Sequence, residues 1–85
     1  MHEVINMQVD EVIKRLIERS GMSYRAASSA LGKSANWAGV TAQPGRAPKL
    51  DTVADVADVV GCDVVIRDRA TGETVGVIDP PRRGK

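Results

Sequence analysis

The spacing of apolar residues predicts a first helix near the start of the chain. Across residues 7–20 the apolar positions recur every three or four residues, at Val9, Val12, Ile13, Leu16 and Ile17. This spacing is typical of one buried stripe on an α-helix. Asp10 and Glu11 near its start and Arg19 near its end suit the helix dipole, and Gly21 predicts where the helix stops.

Two shorter helices are predicted next, separated by a glycine. Ser23 is the expected N-cap of a helix over residues 24–31. Its inner face is expected to consist of Ala27, Ala30 and Leu31. Gly32 suits the left-handed backbone that ends this helix, and Ser34 is the expected cap of a third helix over residues 35–42. Two short helices joined by such a turn form a helix-turn-helix.

A loop and a fourth helix complete the helical part of the chain. Residues 43–49 contain two prolines and a glycine, which indicates a loop. Residues 50–60 then return to helical spacing, with aspartates on the outer side and Gly61 as the end. The expected apolar face consists of Leu50, Val53, Ala54, Ala57 and Val60, with Val56 at its margin.

The last part of the chain changes to a pattern typical of β-strands. Residues 64–68 and 73–79 are rich in β-branched side chains and flank a short turn, which predicts a hairpin. Residues 80–85 carry two prolines and three basic residues and are expected to form a disordered basic tail. The fold class is therefore expected to be mainly α: four to five helices over residues 1–61 and a C-terminal β-hairpin over residues 62–79.

Charge and composition reduce the number of function classes that fit the chain. The net charge is only +1, but residues 14–49 are basic whereas residues 1–13 and 50–79 are acidic, which favours an anionic partner for the middle of the chain. His2 is the single histidine and Cys62 the single cysteine. We therefore predict no catalytic residues, no metal site and no cofactor. Because a single cysteine allows no internal disulfide, we expect a protein of the reducing cytoplasm. Because no apolar run suffices for a membrane span, we expect no membrane partner.

Residues 22–61 resemble the Xre family, the Cro and phage-repressor type of helix-turn-helix proteins. The residues that carry the resemblance are, in order, Tyr24, Ser28, Leu31, Gly32, Ser34, Gly45, Pro48, Leu50, Thr52, Val53, Ala57 and Gly61. The resemblance implies a lambda-repressor-like bundle whose third helix enters the major groove of double-stranded DNA while the second crosses the backbone. Lys33, Ala38 and Thr41 stand where larger aliphatic residues are common, which thins the core behind the third helix.

The resemblance also implies which residues touch DNA. The expected base-reading residues are Ser34, Ala35, Asn36, Gly39, Val40 and Gln43. The expected phosphate contacts are Ser23, Tyr24, Arg25, Lys33, Trp37, Arg46 and Lys49. Short side chains let the helix backbone approach the base edges, and the carboxamides of Asn36 and Gln43 can each bridge adenine N6 and N7. Alternatives are helix capping or solvent exposure for Asn36, a helix C-terminal surface position for Gln43, and packing of Val40 and Trp37.

The hairpin is expected to join two copies of the chain. The predicted dimer interface consists of Val64, Ile66, Val75 and Val77. The alternative is that the hairpin folds back on the first and fourth helices. The resulting hypothesis is a bacterial or phage transcriptional regulator, a repressor, that binds a palindromic operator as a homodimer. Two alternatives are an antitoxin, which would also bind a cognate toxin or other small protein, and a protein-interaction adaptor that keeps the fold.

Overall fold

The computed structural model describes residues 6–82, which form four helices followed by an antiparallel hairpin. The elements are α1 (Val9–Ser20), α2 (Tyr24–Ala30), α3 (Trp37–Thr41), α4 (Leu50–Val59), β1 (Val64–Arg67) and β2 (Thr74–Ile78). The expected combination of helices and a C-terminal hairpin is therefore confirmed. His2 lies outside the described residues. Within residues 6–82, no helix has both the length and the apolar character that crossing a bilayer requires.

The main difference from the predicted elements is at α3, which is five residues long and begins two residues later than expected. Residues 35 and 36 form a turn instead, in which the Trp37 N–H donates to the Ser34 carbonyl at 3.0 Å. The expected side-chain cap by Ser34 is wrong, because the residue at the cap position is Asn36, and it makes no side-chain cap bond either. The cap at Ser23 is confirmed, since its Oγ accepts from the Ala26 N–H at 3.0 Å.

The core lies where α1 meets α3 and α4. Its buried hydrophobic residues are Ile13, Ile17, Ala27, Ala38, Ala42, Val53, Ala54, Val56 and Ala57. Val56, expected at the margin of α4, is fully buried. Val9 and Leu50 are exposed although both belong to predicted apolar stripes, because each is the first residue of its helix, ahead of the buried positions. Ala30, expected inside, is exposed at the end of α2.

A buried hydroxyl connects α2 to α3. Ser28 is fully buried, and its Oγ accepts a hydrogen bond from the Ala38 N–H at 2.8 Å. The same hydroxyl donates to the Tyr24 carbonyl at 2.9 Å. Ala27 and Ala38 are also buried here, so small side chains keep the two helices close. Gly32 has a φ of +70°, which lets the chain turn sharply between them.

The hairpin is joined to the helices by one strand. β1 and β2 pair in the register Val64↔Ile78, Val65↔Val77 and Ile66↔Gly76, and a bulge then shifts the pairing to Arg67↔Thr74. Val64 is half-buried and packs against the core cluster, and β1 contacts α4. On the side of β1 that carries Val64, the hairpin therefore packs on the chain's own helices, as the predicted alternative states.

The chain after β2 returns to α4. Pro80 is buried, and the Arg82 N–H donates to Asp55 Oδ1 at 3.3 Å. The Arg82 guanidinium also lies 3.3 Å from Asp58 Oδ2. The expectation of a disordered tail is therefore wrong for residues 80–82, because the carboxylates of α4 hold Arg82. Residues 83–85 lie outside the described part of the chain.

We expect the substitution Ser28→Ala to lower the free energy of unfolding by about 1–3 kcal/mol, because it leaves the buried Ala38 N–H without an acceptor. Denaturant titration followed by circular dichroism measures the change. Ser29→Ala is the matched control, since Ser29 is the exposed neighbour on the same helix. The control should change stability by no more than about 0.5 kcal/mol. Equal stability of the two variants would contradict the role given to the Ser28 hydroxyl.

Candidate nucleic-acid interface

The outer side of α3 and the turn before it form an exposed surface. All six residues expected to read bases, Ser34, Ala35, Asn36, Gly39, Val40 and Gln43, are exposed. Five of them line one shallow, open depression of about 470 Å³, together with two residues of α2: Ala35, Asn36, Gly39, Val40, Gln43, Tyr24 and Arg25. We call these seven residues the α3 surface. The structure therefore brings together most of the residues that the sequence analysis grouped.

Gly39 lies in the middle of α3, at the centre of this surface. A Cβ atom placed on Gly39 would meet no atom within 4 Å, and its φ is not in the left-handed region. Glycine inside a helix costs about 1 kcal/mol relative to alanine. Neither packing nor backbone geometry within the described chain explains this glycine. Its effect is to leave the backbone of α3 uncovered on the exposed side of the helix.

Asn36 makes no side-chain cap bond at the start of α3. Capping by its side chain is therefore wrong for Asn36, whereas the alternative of solvent exposure is confirmed, and the exposed carboxamide lines the depression. Gln43, two residues beyond the end of α3, lines the same depression. Two carboxamides are thus displayed on one surface, with the exposed apolar side chain of Val40 between them in sequence.

The structure explains Trp37 by packing. Trp37 is half-buried and packs against the core cluster, which was the alternative to a contact with DNA. Lys33 Nζ lies 5.7 Å from the centroid of the Trp37 ring, within the range of a cation–π interaction. The aromatic ring thus adds apolar volume behind α3, and Lys33 itself remains exposed.

Tyr24 is held by a neighbour within the chain. Its hydroxyl donates to Glu18 Oε2 at 3.0 Å, and the side chain is half-buried. Burial raises the pKa of the Tyr24 hydroxyl above its ordinary value of 10.0, and the hydrogen bond to Glu18 and the charge of Glu18 raise it further. Because this hydroxyl is committed to a carboxylate, the contacts of Tyr24 do not support the expected phosphate contact.

The other residues expected to contact phosphate differ in where they lie. Arg25 is exposed on the α3 surface. Lys33 is exposed in the turn before α3, and Arg46 and Lys49 are exposed in the loop after it. Cationic side chains thus occur on α2 and on both chain segments that flank α3. Ser23 Oγ is occupied by its helix cap.

Sequence reasoning missed a larger groove between α1 and the end of α3. It is open, has a volume of about 990 Å³, and is lined by both acidic and basic side chains of α1, including Asp10, Lys14 and Glu18. Asp10, predicted only as a partner of the helix dipole, is buried at this groove. No local pattern indicates the groove, because it depends on how α3 packs beside α1. Its mixed charge favours neither an anion nor a cation.

The four residues predicted as a dimer interface do not share one face of the hairpin. Val64 and Ile66 alternate with Val65, so they lie on the face that packs towards the helices. Val77 is paired with Val65 and lies on the opposite face. Val75 is the unpaired residue at the bulge. The pairing register therefore divides the predicted interface residues between the two faces of the hairpin.

Comparison with known proteins identifies no relative: no family model, curated protein or solved structure matches the chain. In residues 6–82, no group of three or more His, Cys, Asp or Glu side chains is placed to hold a metal ion.

The raised pKa of Tyr24 can be measured directly, because the chain has a single tyrosine. We expect the midpoint of the near-ultraviolet tyrosinate titration in the native protein to lie above pH 10.0. Glu18→Ala should lower the midpoint, but not fully to the ordinary value, because burial is the largest cause of the shift. Because the pKa of Tyr24 is higher in the folded than in the unfolded state, its neutral hydroxyl stabilises the fold below the unfolded-state pKa. This contribution is lost as the pH rises through the folded-state pKa. An unchanged midpoint in Glu18→Ala would contradict the assigned contact.

Proposed function

We propose that this protein is a sequence-specific transcriptional regulator, a repressor, that binds a palindromic double-stranded DNA operator as a homodimer through the α3 surface. The observation that carries the proposal is Gly39, a helical glycine that the described fold does not require. It leaves the α3 backbone bare between two exposed carboxamides. A bare backbone of this kind allows a helix in the major groove to approach the base edges closely.

Base reading is assigned to Asn36 and Gln43. A carboxamide both donates and accepts, so it can form a bidentate pair with adenine N6 and N7. Each such pair contributes about 1–3 kcal/mol of discrimination against the wrong base. Val40 is exposed on the same surface and can contact a thymine methyl group.

Phosphate binding is assigned to Arg25 and to the exposed cations of the flanking segments, Lys33, Arg46 and Lys49. Such contacts position a protein on the duplex without reading its sequence. Because they displace counterions, the affinity falls as the salt concentration rises. These four cations lie on α2 and on the two chain segments that flank α3, whereas α4 carries aspartates, with Asp51 in its first turn.

We expect Gly39→Leu to weaken binding to operator DNA, selected from a random pool, by at least about tenfold, while stability stays equal or rises by up to about 1 kcal/mol. The new side chain has room in the folded protein but blocks approach to the base edges. Fluorescence of the single tryptophan, Trp37, offers a label-free titration. Ala70→Leu, which places the same leucine side chain in the exposed hairpin turn, is the matched control and should bind normally. Normal binding by Gly39→Leu would contradict the proposal.

We expect the substitutions Asn36→Ala and Arg25→Ala to change DNA binding in two different ways. Loss of the Asn36 carboxamide should cost about 1–3 kcal/mol with the selected operator and relax the preference at one base pair. Loss of the Arg25 charge should weaken binding to all sequences and reduce the slope of log affinity against log salt by about one. Arg69→Ala, in the hairpin turn, controls for the removal of charge alone. Selection that enriches no common sequence would contradict the proposal and favour the adaptor alternative.

A further inference from the structure

We propose that the free edge of β1 pairs with the same edge of a second copy, antiparallel and centred on Val65, to give a four-stranded sheet. This inference rests on the proposed homodimer and specifies how it is built. An isolated two-stranded hairpin is marginally stable, whereas three or more strands stabilise one another. Val65 and Ile66 are 44% and 46% exposed, so β1 presents apolar side chains that a neighbouring strand would cover.

The hydrogen bonds of the hairpin show which backbone groups of β1 are available. Asp68 N–H donates to the Glu73 carbonyl at 2.8 Å, and the Asp68 carbonyl accepts from Gly72 N–H at 2.8 Å. The backbone groups of Asp68 therefore face β2. Since these groups alternate along an antiparallel strand, those of Val65 and Arg67 face the other edge. Within the described residues, no other strand pairs with that edge.

The residues of β1 are complementary to themselves in one register. Pairing centred on Val65 places Asp63 opposite Arg67 of the second copy, twice by symmetry. It also places Val64 opposite Ile66 of the second copy, and the two Val65 residues opposite each other. A shift of the centre by one residue sets Val65 against a charged residue, Arg67 in one direction and Asp63 in the other. Charge and apolar matching thus select the same register.

The edge of β2 lacks this complementarity. Glu73 precedes β2 and Asp79 follows it, so antiparallel self-pairing centred on Gly76 would bring two carboxylates together at each end. The bulge at Val75 further disrupts the edge, and a glycine at the centre offers no side chain to pack. The structure therefore favours β1 over β2 as the edge that meets a second copy.

Charge reversal tests the pairing in the full chain without DNA. We expect wild-type protein to sediment as a dimer at micromolar concentration, and Asp63→Arg or Arg67→Asp alone to weaken self-association by at least about tenfold, since each opposes like charges twice. The double variant restores opposite charges and should dimerise again. A mixture of the two single variants should form a one-to-one heterodimer, because each then supplies the charge that the other lacks.

Glu73→Lys on the edge of β2 is the matched control and should leave self-association unchanged. Circular dichroism confirms that each variant is folded, and recovery in the mixture would itself exclude misfolding as the cause. A monomeric wild type, unaffected single variants, or failure of both the double variant and the mixture to dimerise would overturn the pairing. Stronger dimerisation of Glu73→Lys would point to β2 instead. Binding of the selected operator, measured separately, decides the DNA-binding proposal on its own.

Discussion

The arrangement of α3 depends on one buried hydroxyl. A helix of five residues is too short to be stable alone, so its position is decided by what it packs against. Ser28 supplies the acceptor for the Ala38 N–H, and the surrounding alanines allow the close approach that this bond requires. A larger residue at position 28 or 38 would separate α2 from α3. The orientation of the α3 surface therefore follows from a contact on its opposite side.

Small residues lie on both the inner and the outer side of α3, and each has a different structural effect. On the inner side, Ala38 permits the bond to Ser28, and on the outer side Gly39 leaves the backbone bare. The core behind such a helix lacks aliphatic volume, and the half-buried Trp37 replaces part of it. Thr41 donates through its hydroxyl to the Trp37 carbonyl at 2.8 Å, a bond within α3 itself. The Ser28 hydroxyl is the polar side-chain group that links α3 to α2.

The proposed functions are divided between the helices and the hairpin. DNA contact is assigned to α3 and pairing to the edge of β1, and α4 contacts both α1 and β1. Val64 and Pro80 bury apolar surface at the open end of the hairpin, opposite its turn, and Arg82 adds contacts with Asp55 and Asp58. These attachments place the hairpin against the helices, so the position of one proposed surface is linked to that of the other.

The sequence alone determined where the helices and strands lie, because helical and alternating spacing and left-handed glycines are local signals. It also indicated the exposed residues around α3, through a resemblance of motif. Only the tertiary structure decided that α3 begins at Trp37, that Glu18 holds Tyr24, that Arg82 lies on α4, and that the hairpin register separates Val64 from Val77. Each of these depends on a contact, a pairing or a packing between segments, and local spacing carries no information about such partners.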